Sequence, residues 1–200
     1  TLPASAAITP SAAQLQARLL TVSAVGSGWN LGHAINSADL SSVAQSIPCP
    51  ATAINPTIAK RLTAVTGIQF EPADRSYKHM IELAITGDPA RLDSDLQTLF
   101  GALDACASTT STATGTTKLT VKRLKIPDLG DQRAAFVMTG IDESAGSSAT
   151  WYVRNAAVRV GPLAIAFGLT EILATPQDKP QIGDESFVQL LRTAVGKLRT

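Results

Sequence analysis

The sequence has 200 residues, of which 44% are apolar, 4% aromatic and 16% charged, and its formal net charge is +1. That length supports one sizeable hydrophobic core. The near-neutral balance argues against a nucleic-acid binder, which needs a basic stripe, and the apolar content argues against a disordered chain. No apolar run reaches the roughly 18 residues that a membrane span requires.

The first third of the chain is predicted to be helical. A capping residue followed by proline, which favours a helix start, occurs at residues 9–10 and again at residues 55–56. The apolar spacing after each pair predicts a first helix that ends near Gly26 and a later one that Gly67 stops. A short helix is expected between them, over residues 38–47.

The rest of the chain is dominated by apolar residues with a period of two, which predicts strands. A helix over residues 92–106 interrupts them, capped by the Gly-Asp-Pro at residues 87–89, and residues 108–117 are expected to form a flexible loop. Asp184 is expected to cap a final amphipathic helix. The predicted strands are residues 68–70, 77–86, 119–126, 133–139, 151–160 and 163–169.

The order of these elements predicts the fold class. Strands and helices do not alternate regularly, so a doubly wound parallel sheet is disfavoured. Hairpin-linked strands with helices beside them predict an α+β fold with an antiparallel sheet. We expect residues 1–10 to be an N-terminal tether, such as follows a processed signal or lipobox, and residues 11–200 to form a single domain.

The two cysteines, Cys49 and Cys106, match no zinc, haem or CxxC redox signature. Cys106 ends an apolar stripe of helical spacing, and Cys49 lies between two prolines. This patterning favours a structural disulfide formed in an oxidising compartment. Two buried thiols in a cytosolic protein are the alternative.

No motif in the sequence carries catalytic chemistry. There is no HExxH, no GxSxG and no cluster with metal-ligand spacing, so no catalytic residue, metal or cofactor is expected. His79 is expected to be a half-buried strand residue and His33 an exposed loop residue. The glycine-rich residues 26–32 follow a helix rather than a strand, which favours a turn over a phosphate loop, with Trp29 either packed on the fold or at the rim of a ligand groove.

A basic run lies on one predicted strand and continues on the next. Strand alternation sends its side chains to both faces of the sheet, so a solvated strand is the first expectation. Contact with an acidic partner or an anionic envelope lipid is the alternative. The run consists of Lys118, Lys122, Arg123, Lys125 and Arg133.

Several segments, taken in order, resemble a known family. They are RLLTVSAVGSGW (residues 18–29), LGDQRAAFVMTG (129–140), WYVRNAAVRVGPLAIAFGL (151–169) and FVQLLRTAVGKL (187–198), together with the cysteine pair. The sequence is similar to exported actinobacterial, mycobacterial-type lipoproteins related to the PknH-like extracellular sensor domain. The resemblance implies an extracytoplasmic α+β domain whose helices pack on a curved antiparallel sheet of about six strands, with a cleft and a disulfide.

The resemblance favours a non-enzymatic ligand-binding or sensor domain of the cell envelope, lipid-anchored or secreted. Its ligand would be a small or lipidic molecule, for which Trp29, Trp151 and Tyr152 are the candidate groove residues. An accessory lipoprotein that docks on an envelope protein complex is the alternative, and a hydrolase with an atypical site is a remote one. No nucleic acid is expected as a partner, and contact with a membrane is expected only through an N-terminal lipid anchor.

The disulfide prediction can be tested by alkylation and mass spectrometry. We expect both cysteines of the native protein to resist alkylation until a reductant is added. A bridge between Cys49 and Cys106 closes a loop of roughly 57 residues and should stabilise the fold by about 4 kcal/mol in the chain-entropy model. Two free thiols in the unreduced protein would contradict this prediction and the argument for an oxidising compartment.

Overall fold

The computed structural model describes residues 10–39, 62–74, 76–106, 118–144, 147–173, 175 and 178–200. Within these ranges, seven strands form one antiparallel sheet in the order β1-β2-β3-β7-β6-β5-β4. The strands are β1 (Trp29–Asn36), β2 (Ala64–Pro72), β3 (Lys78–Thr86), β4 (Lys118–Arg123), β5 (Gln132–Ser144), β6 (Ser147–Val160) and β7 (Leu163–Leu173).

Four helices accompany the sheet in the described ranges: α1 (Ala12–Gln16), α2 (Val22–Val25), α3 (Pro89–Cys106) and α4 (Asp184–Leu198). Helix α1 starts with a capping box between Ser11 and Gln14. Helix α2 ends at Gly26, whose φ of 105° places it where residues with a Cβ are strained. No helix in the described part of the chain is long and apolar enough to cross a bilayer.

One face of the sheet, which we call the α4 face, carries the main core. Strand alternation places Phe70, Met80, Leu169 and Ile165 on this face. Helix α4 covers them with its own apolar stripe, and Leu15, Leu19 and Leu20 complete the same cluster. The stripe of α4 consists of Phe187, Leu191, Ala194, Val195 and Leu198. Burial of these side chains is what holds α4 and the N-terminal segment on the sheet.

On the opposite face, which we call the α3 face, an ion pair helps to hold helix α3 against the sheet. Helix α3 packs against β4, β5 and β6, and the guanidinium of Arg159 on β6 forms an ion pair with Asp93 of α3. At the other side of this face, Ile35, Val65 and Leu83 form a small buried cluster across β1, β2 and β3. Helices therefore lie on both faces of the sheet.

A carboxyl group is buried inside the α4 face. Glu82 on β3 is fully buried, and its Oε2 accepts a hydrogen bond from the Leu20 amide at 2.7 Å. Lys197 of α4 lies near it and donates a hydrogen bond to the Leu19 carbonyl oxygen. Burial raises the pKa of Glu82 from 4.5 to about 7, against the opposing effects of the Leu20 amide and the Lys197 charge.

The predicted fold class is confirmed, since the structure is α+β with an antiparallel sheet. It has seven strands in the described ranges where about six were expected, and the additional one is β1. The sequence predicts a turn over residues 26–32, because they follow a helix, and a loop at His33, and both predictions are wrong from Trp29 onwards. The hydrogen bonds of residues 29–36 to β2, with an irregularity between Leu31 and Ala34, make them an edge strand.

Two helix predictions are corrected. The first predicted helix is two short helices, since the chain leaves helical geometry after α1 and re-enters it at Val22. The end of the predicted third helix is wrong: Val65 and Gly67 lie in β2, where Gly67 packs against Leu83 so closely that a Cβ would be 2.4 Å from its side chain. The predicted helix over residues 38–47 falls almost entirely outside the described residues.

Other expectations stand with small changes. Asp88 caps α3 by accepting a hydrogen bond from the Arg91 amide at 3.0 Å. The N-cap of α4 is Gly183, so Asp184 is the first helical residue instead of the cap. Cys106 is the last residue of α3, whereas Cys49 lies outside the described residues, and the disulfide stays a prediction.

The buried carboxyl of Glu82 predicts how stability depends on pH. A carboxyl whose pKa is higher in the folded state keeps the fold most stable below about pH 4.5, and the free energy of unfolding falls as pH rises towards 7. The full loss is about 3 kcal/mol. In Glu82→Gln this fall should be absent, because the amide stays neutral and its oxygen still accepts from Leu20.

Urea denaturation from pH 4 to 9 measures this effect as the difference between wild type and variant. Glu71→Gln is the matched control, because Glu71 is an exposed carboxylate on the neighbouring strand β2. The control should follow the wild-type profile. Parallel profiles of Glu82→Gln and wild type would contradict the prediction.

Candidate functional site

The α4 face turns polar at the end where α4 begins. Along β6 the apolar series Val158, Ala156 is continued by Arg154 and Tyr152, and along β7 the series Phe167, Leu169 is continued by Glu171. These positions share one face because strand residues alternate with a period of two. The charged side chains therefore occupy positions in which the rest of each strand carries apolar residues.

Arg154 and Glu171 form a buried ion pair at this end of the sheet. Their side chains are 4% and 3% exposed, and Arg154 Nη1 lies 3.2 Å from Glu171 Oε2. Arg154 Nε also donates to Asp184 Oδ1, at 2.8 Å. Burying two charges costs several kcal/mol for each ion unless both are paired and hydrogen-bonded, and here one guanidinium serves two carboxylates.

The second oxygen of Glu171 holds the chain that leads into α4. Its Oε1 accepts hydrogen bonds from the main-chain amides of Gln181 and Ile182, at 2.8 and 3.2 Å. Since Asp184 is the first residue of α4, the buried pair fixes both the approach to the helix and its first turn. The negative charge of Asp184 at this position is also favourable for the helix dipole.

Lys78 extends this polar cluster towards β1. Its Nζ donates to Gln181 Oε1 at 2.9 Å, lies 3.8 Å from Asp74 and sits 5.4 Å from the centre of the Trp29 ring. Trp29 is buried by apolar packing in the main core cluster, and the Lys78 ammonium adds a cation–π contact to its ring.

An open cleft lies beside the start of α4, where the helix leaves β4 and β5 uncovered. It has a volume of about 460 Å³, and we call it the Tyr152 cleft. Hydroxyl groups line it together with one ammonium, one guanidinium and one carboxylate group. Its lining is Thr120, Lys122, Arg123, Leu124, Val137, Thr139, Tyr152 and Asp184. Such groups can both donate and accept hydrogen bonds, which suits a small polar ligand.

The three aromatic residues expected to form a groove lie in three places. Tyr152 lines the Tyr152 cleft. Trp151 points to the α3 face, where its ring covers Gly140 so closely that an added Cβ would be 1.8 Å away. Trp29 is buried at the β1 side of the sheet. The structure thus brings Tyr152 together with Lys122 and Arg123 of the basic run, and not with either tryptophan.

The histidines lie away from this cleft. His33 is on β1, 67% exposed, with Nε2 3.8 Å from an oxygen of Asp39. His79 is on the α3 face of β3, and burial lowers its pKa below the usual 6.5. Neither makes a hydrogen bond to a serine hydroxyl within the described residues, where no cluster of three or more potential metal ligands occurs either.

Sequence reasoning missed Arg154, Glu171 and Asp184 as a unit. A signal for the first two was present, because each interrupts a run of apolar residues at a position that alternation assigns to the buried face. A charge at such a position needs a partner of opposite sign. The sequence predicts residues 151–160 and 163–169 as a hairpin, but β7 continues to Leu173, so the prediction ended two residues before Glu171 and left it without a place beside Arg154.

The fold and this site together define a class of protein: an α+β domain with one seven-stranded antiparallel sheet, helices on both faces and a cleft beside the final helix. The extracellular domain of PknH from Mycobacterium tuberculosis has a similar fold, with a TM-score of 0.61 and 16% sequence identity over 96% of this chain and 98% of that one. An uncharacterised protein from Mycobacterium smegmatis is also similar, with a TM-score of 0.49 and 14% identity over 94% and 95% of the two chains.

No family model matches the sequence, and no curated protein matches it. At 16% identity the structural similarity shows the fold alone. The expected resemblance to a PknH-like sensor domain is confirmed at that level. The lipoprotein part of the expectation stays a prediction.

Removing one partner of the buried ion pair should destabilise the protein strongly. Arg154→Met leaves Glu171 buried without a cation and should cost about 3 kcal/mol. The double variant Arg154→Met/Glu171→Gln should recover most of that loss, because the glutamine oxygen still accepts from the two main-chain amides. Chemical denaturation at neutral pH measures the three free energies of unfolding.

Arg133→Met provides the control for removing an arginine. Its partner Asp128 is 81% exposed, and exposed pairs contribute about 1 kcal/mol or less. A loss in Arg154→Met no larger than in Arg133→Met, or a double variant as unstable as the single one, would show that the buried pair does not anchor α4.

Proposed function

We propose that this protein is a non-enzymatic, extracytoplasmic sensor-like domain of the actinobacterial cell envelope, and that it binds a small polar ligand in the Tyr152 cleft. The location and the sensor role are supported by the fold shared with an extracellular kinase domain over nearly the whole length of both chains. A lipid anchor at the N-terminal side and a disulfide between Cys49 and Cys106 belong to the same proposal.

The observation that carries ligand binding is the convergence of polar side chains on one open volume. Thr120, Thr139 and Tyr152 bring hydroxyl groups to the cleft, and Lys122 and Asp184 bring opposite charges. A hydroxyl-rich ligand such as a sugar can exchange hydrogen bonds with each of them. The sheet presents the side chains of β4, β5 and β6 on a rigid surface, which reduces the entropy lost on binding.

Asp184 connects the cleft to the buried ion pair of Arg154 and Glu171. It lines the cleft and at the same time accepts the hydrogen bond from Arg154 Nε. A ligand that hydrogen-bonds to Oδ1 of Asp184 competes with Arg154 Nε for that oxygen and so changes how the first turn of α4 is held. We propose this competition as the step that converts binding into a structural response.

The proposed site can be tested with sugars and NMR. D-glucose, D-galactose, D-arabinose and myo-inositol are titrated into ¹⁵N-labelled protein, and a bound sugar should shift the amide signals of Thr120, Thr139 and Tyr152 together. Tyr152→Phe keeps the ring and removes one hydrogen-bonding group. It should weaken binding by about 5- to 10-fold, as expected for about 1 kcal/mol or slightly more.

Tyr77→Phe is the matched control, since Tyr77 is 76% exposed and does not line the cleft. It should bind as the wild type does. The small-ligand proposal fails if none of the four sugars shifts the cleft amides, or if Tyr152→Phe and Tyr77→Phe bind with equal affinity.

A further inference from the structure

A second cleft lies on the other side of the segment that follows β4. It has a volume of about 610 Å³, and we call it the basic cleft. Arg123 and Leu124 line both clefts, whereas Lys125, Arg133, Gln97 and Gln132 line only this one. Its position between β5 and α3 therefore separates it from the groups that define the Tyr152 cleft.

Positive charge is concentrated around the basic cleft. Residues 118–133 contain five basic and only two acidic residues, in a chain whose net charge is +1. Arg123, Lys125 and Arg133 line the cleft directly. Cations gathered in a concave site raise the local concentration of anions more than the same charges scattered over a surface.

The two acidic residues of this segment are both engaged by neighbouring donors, and the partner of Asp131, Arg159, is shared with Asp93 of α3. Asp131 lines it, but its Oδ2 already accepts hydrogen bonds from Arg159 Nη1 at 3.0 Å and from the Gly161 amide at 2.7 Å. Asp128 pairs with Arg133 at 2.6 Å and is 81% exposed. An ion pair so exposed is weak, and an anion in the cleft can displace Asp128 from Arg133.

The cationic groups are also arranged for recognition. The guanidinium of Arg123 lies 5.6 Å from the centre of the Phe136 ring, a contact that restrains its orientation. Lys125 is exposed and can move towards an anion as a point charge. Arg133 presents a planar fork of donors, which matches the oxygens of a phosphate group.

The carboxamides of Gln97 and Gln132 add a different chemistry to the same lining. A carboxamide both donates and accepts hydrogen bonds, so it is suited to hydroxyl groups. A ligand that satisfies both sets of groups carries a phosphate for the three cations and hydroxyls for the two carboxamides.

We propose that the basic cleft is a second binding site, for a hydroxyl-bearing phosphate ester of the glycerophosphate kind. The same chemistry occurs in a free glycerol phosphate and in the headgroup of a glycerophospholipid. The site does not depend on the Tyr152 cleft, and the two proposals can fail separately.

The experiment has a soluble arm and a membrane arm. In the soluble arm, sn-glycerol 3-phosphate, inorganic phosphate and glycerol are titrated into the full chain by calorimetry. In the membrane arm, co-sedimentation compares phosphatidylcholine vesicles with vesicles that contain one part phosphatidylglycerol to three parts phosphatidylcholine. Binding of glycerol 3-phosphate identifies a soluble ester, and binding only to phosphatidylglycerol vesicles identifies a lipid headgroup.

Charge-removing variants locate the binding. Lys125→Gln and Arg133→Gln should each weaken it by about 10-fold or more, as expected for loss of one charge-assisted hydrogen bond. Arg192→Gln is the matched control, because Arg192 is exposed on α4 and lines neither cleft. Gln97→Met should weaken binding of glycerol 3-phosphate and leave that of inorganic phosphate unchanged. Thermal melting confirms that each variant is folded.

Three results would overturn the proposal. The first is the absence of binding in both arms. The second is an equal loss of affinity in Arg192→Gln and in Lys125→Gln, which would show attraction by overall charge instead of a site. The third is equal affinity for inorganic phosphate and glycerol 3-phosphate, which would remove the role of the hydroxyl groups. Tyr152→Phe should bind the ester as wild type does, so failure of the Tyr152 cleft as a sugar site would leave this result unaffected.

Discussion

The sheet face under helix α4 buries charged side chains, and the helix supplies side chains of opposite charge that lie near them. Glu82, Arg154 and Glu171 all lie beneath it or at its ends with almost no exposure. Each would be expensive to bury alone. The helix meets this requirement with Asp184 at its beginning and Lys197 near its end. Its apolar stripe sets how much surface is buried, and the two charged ends set where along the sheet the helix lies.

The position of α4 in turn creates the Tyr152 cleft. The helix covers β6 and β7 on the α4 face, and β4 and β5 extend beyond it. The wall of the cleft is the first turn of a helix held by buried charges, and its floor is a hydrogen-bonded sheet. The buried ion pair thus serves the site indirectly: Arg154 and Glu171 do not line the Tyr152 cleft, but Arg154 holds Asp184, which does.

The elements that sequence patterning predicted are those with one clear period. Strands β3, β6 and β7 alternate over many residues, and α4 repeats its apolar positions every three or four. Strand β1 has no such pattern, because it is an edge strand of which most residues are exposed. Val65 was assigned to a helix because its spacing from Leu62 fits a helical face, yet cross-strand hydrogen bonds to β3 place it in β2.

The candidate site was predictable only in part, for a related reason. Tyr152 was identified as an aromatic residue on a strand, and the basic run was identified by its composition. The hairpin of residues 151–160 and 163–169 was predicted, but its second strand was predicted to end before Glu171, so the partner of Arg154 was missed. Single-sequence periodicity assigns a residue to a face of its strand. It carries no information on which side chain of another strand lies beside it.

The two ends of the described chain are fastened to each other. Arg18 Nη1 donates to the carbonyl oxygen of Leu198 at 3.0 Å, and Lys197 Nζ donates to that of Leu19. With Glu82 holding the Leu20 amide, three side-chain links lie within three residues of the N-terminal segment. A mechanical load applied to the chain at Arg18 is therefore divided between the last turn of α4, through Lys197 and Leu198, and the sheet itself, through Glu82 on β3.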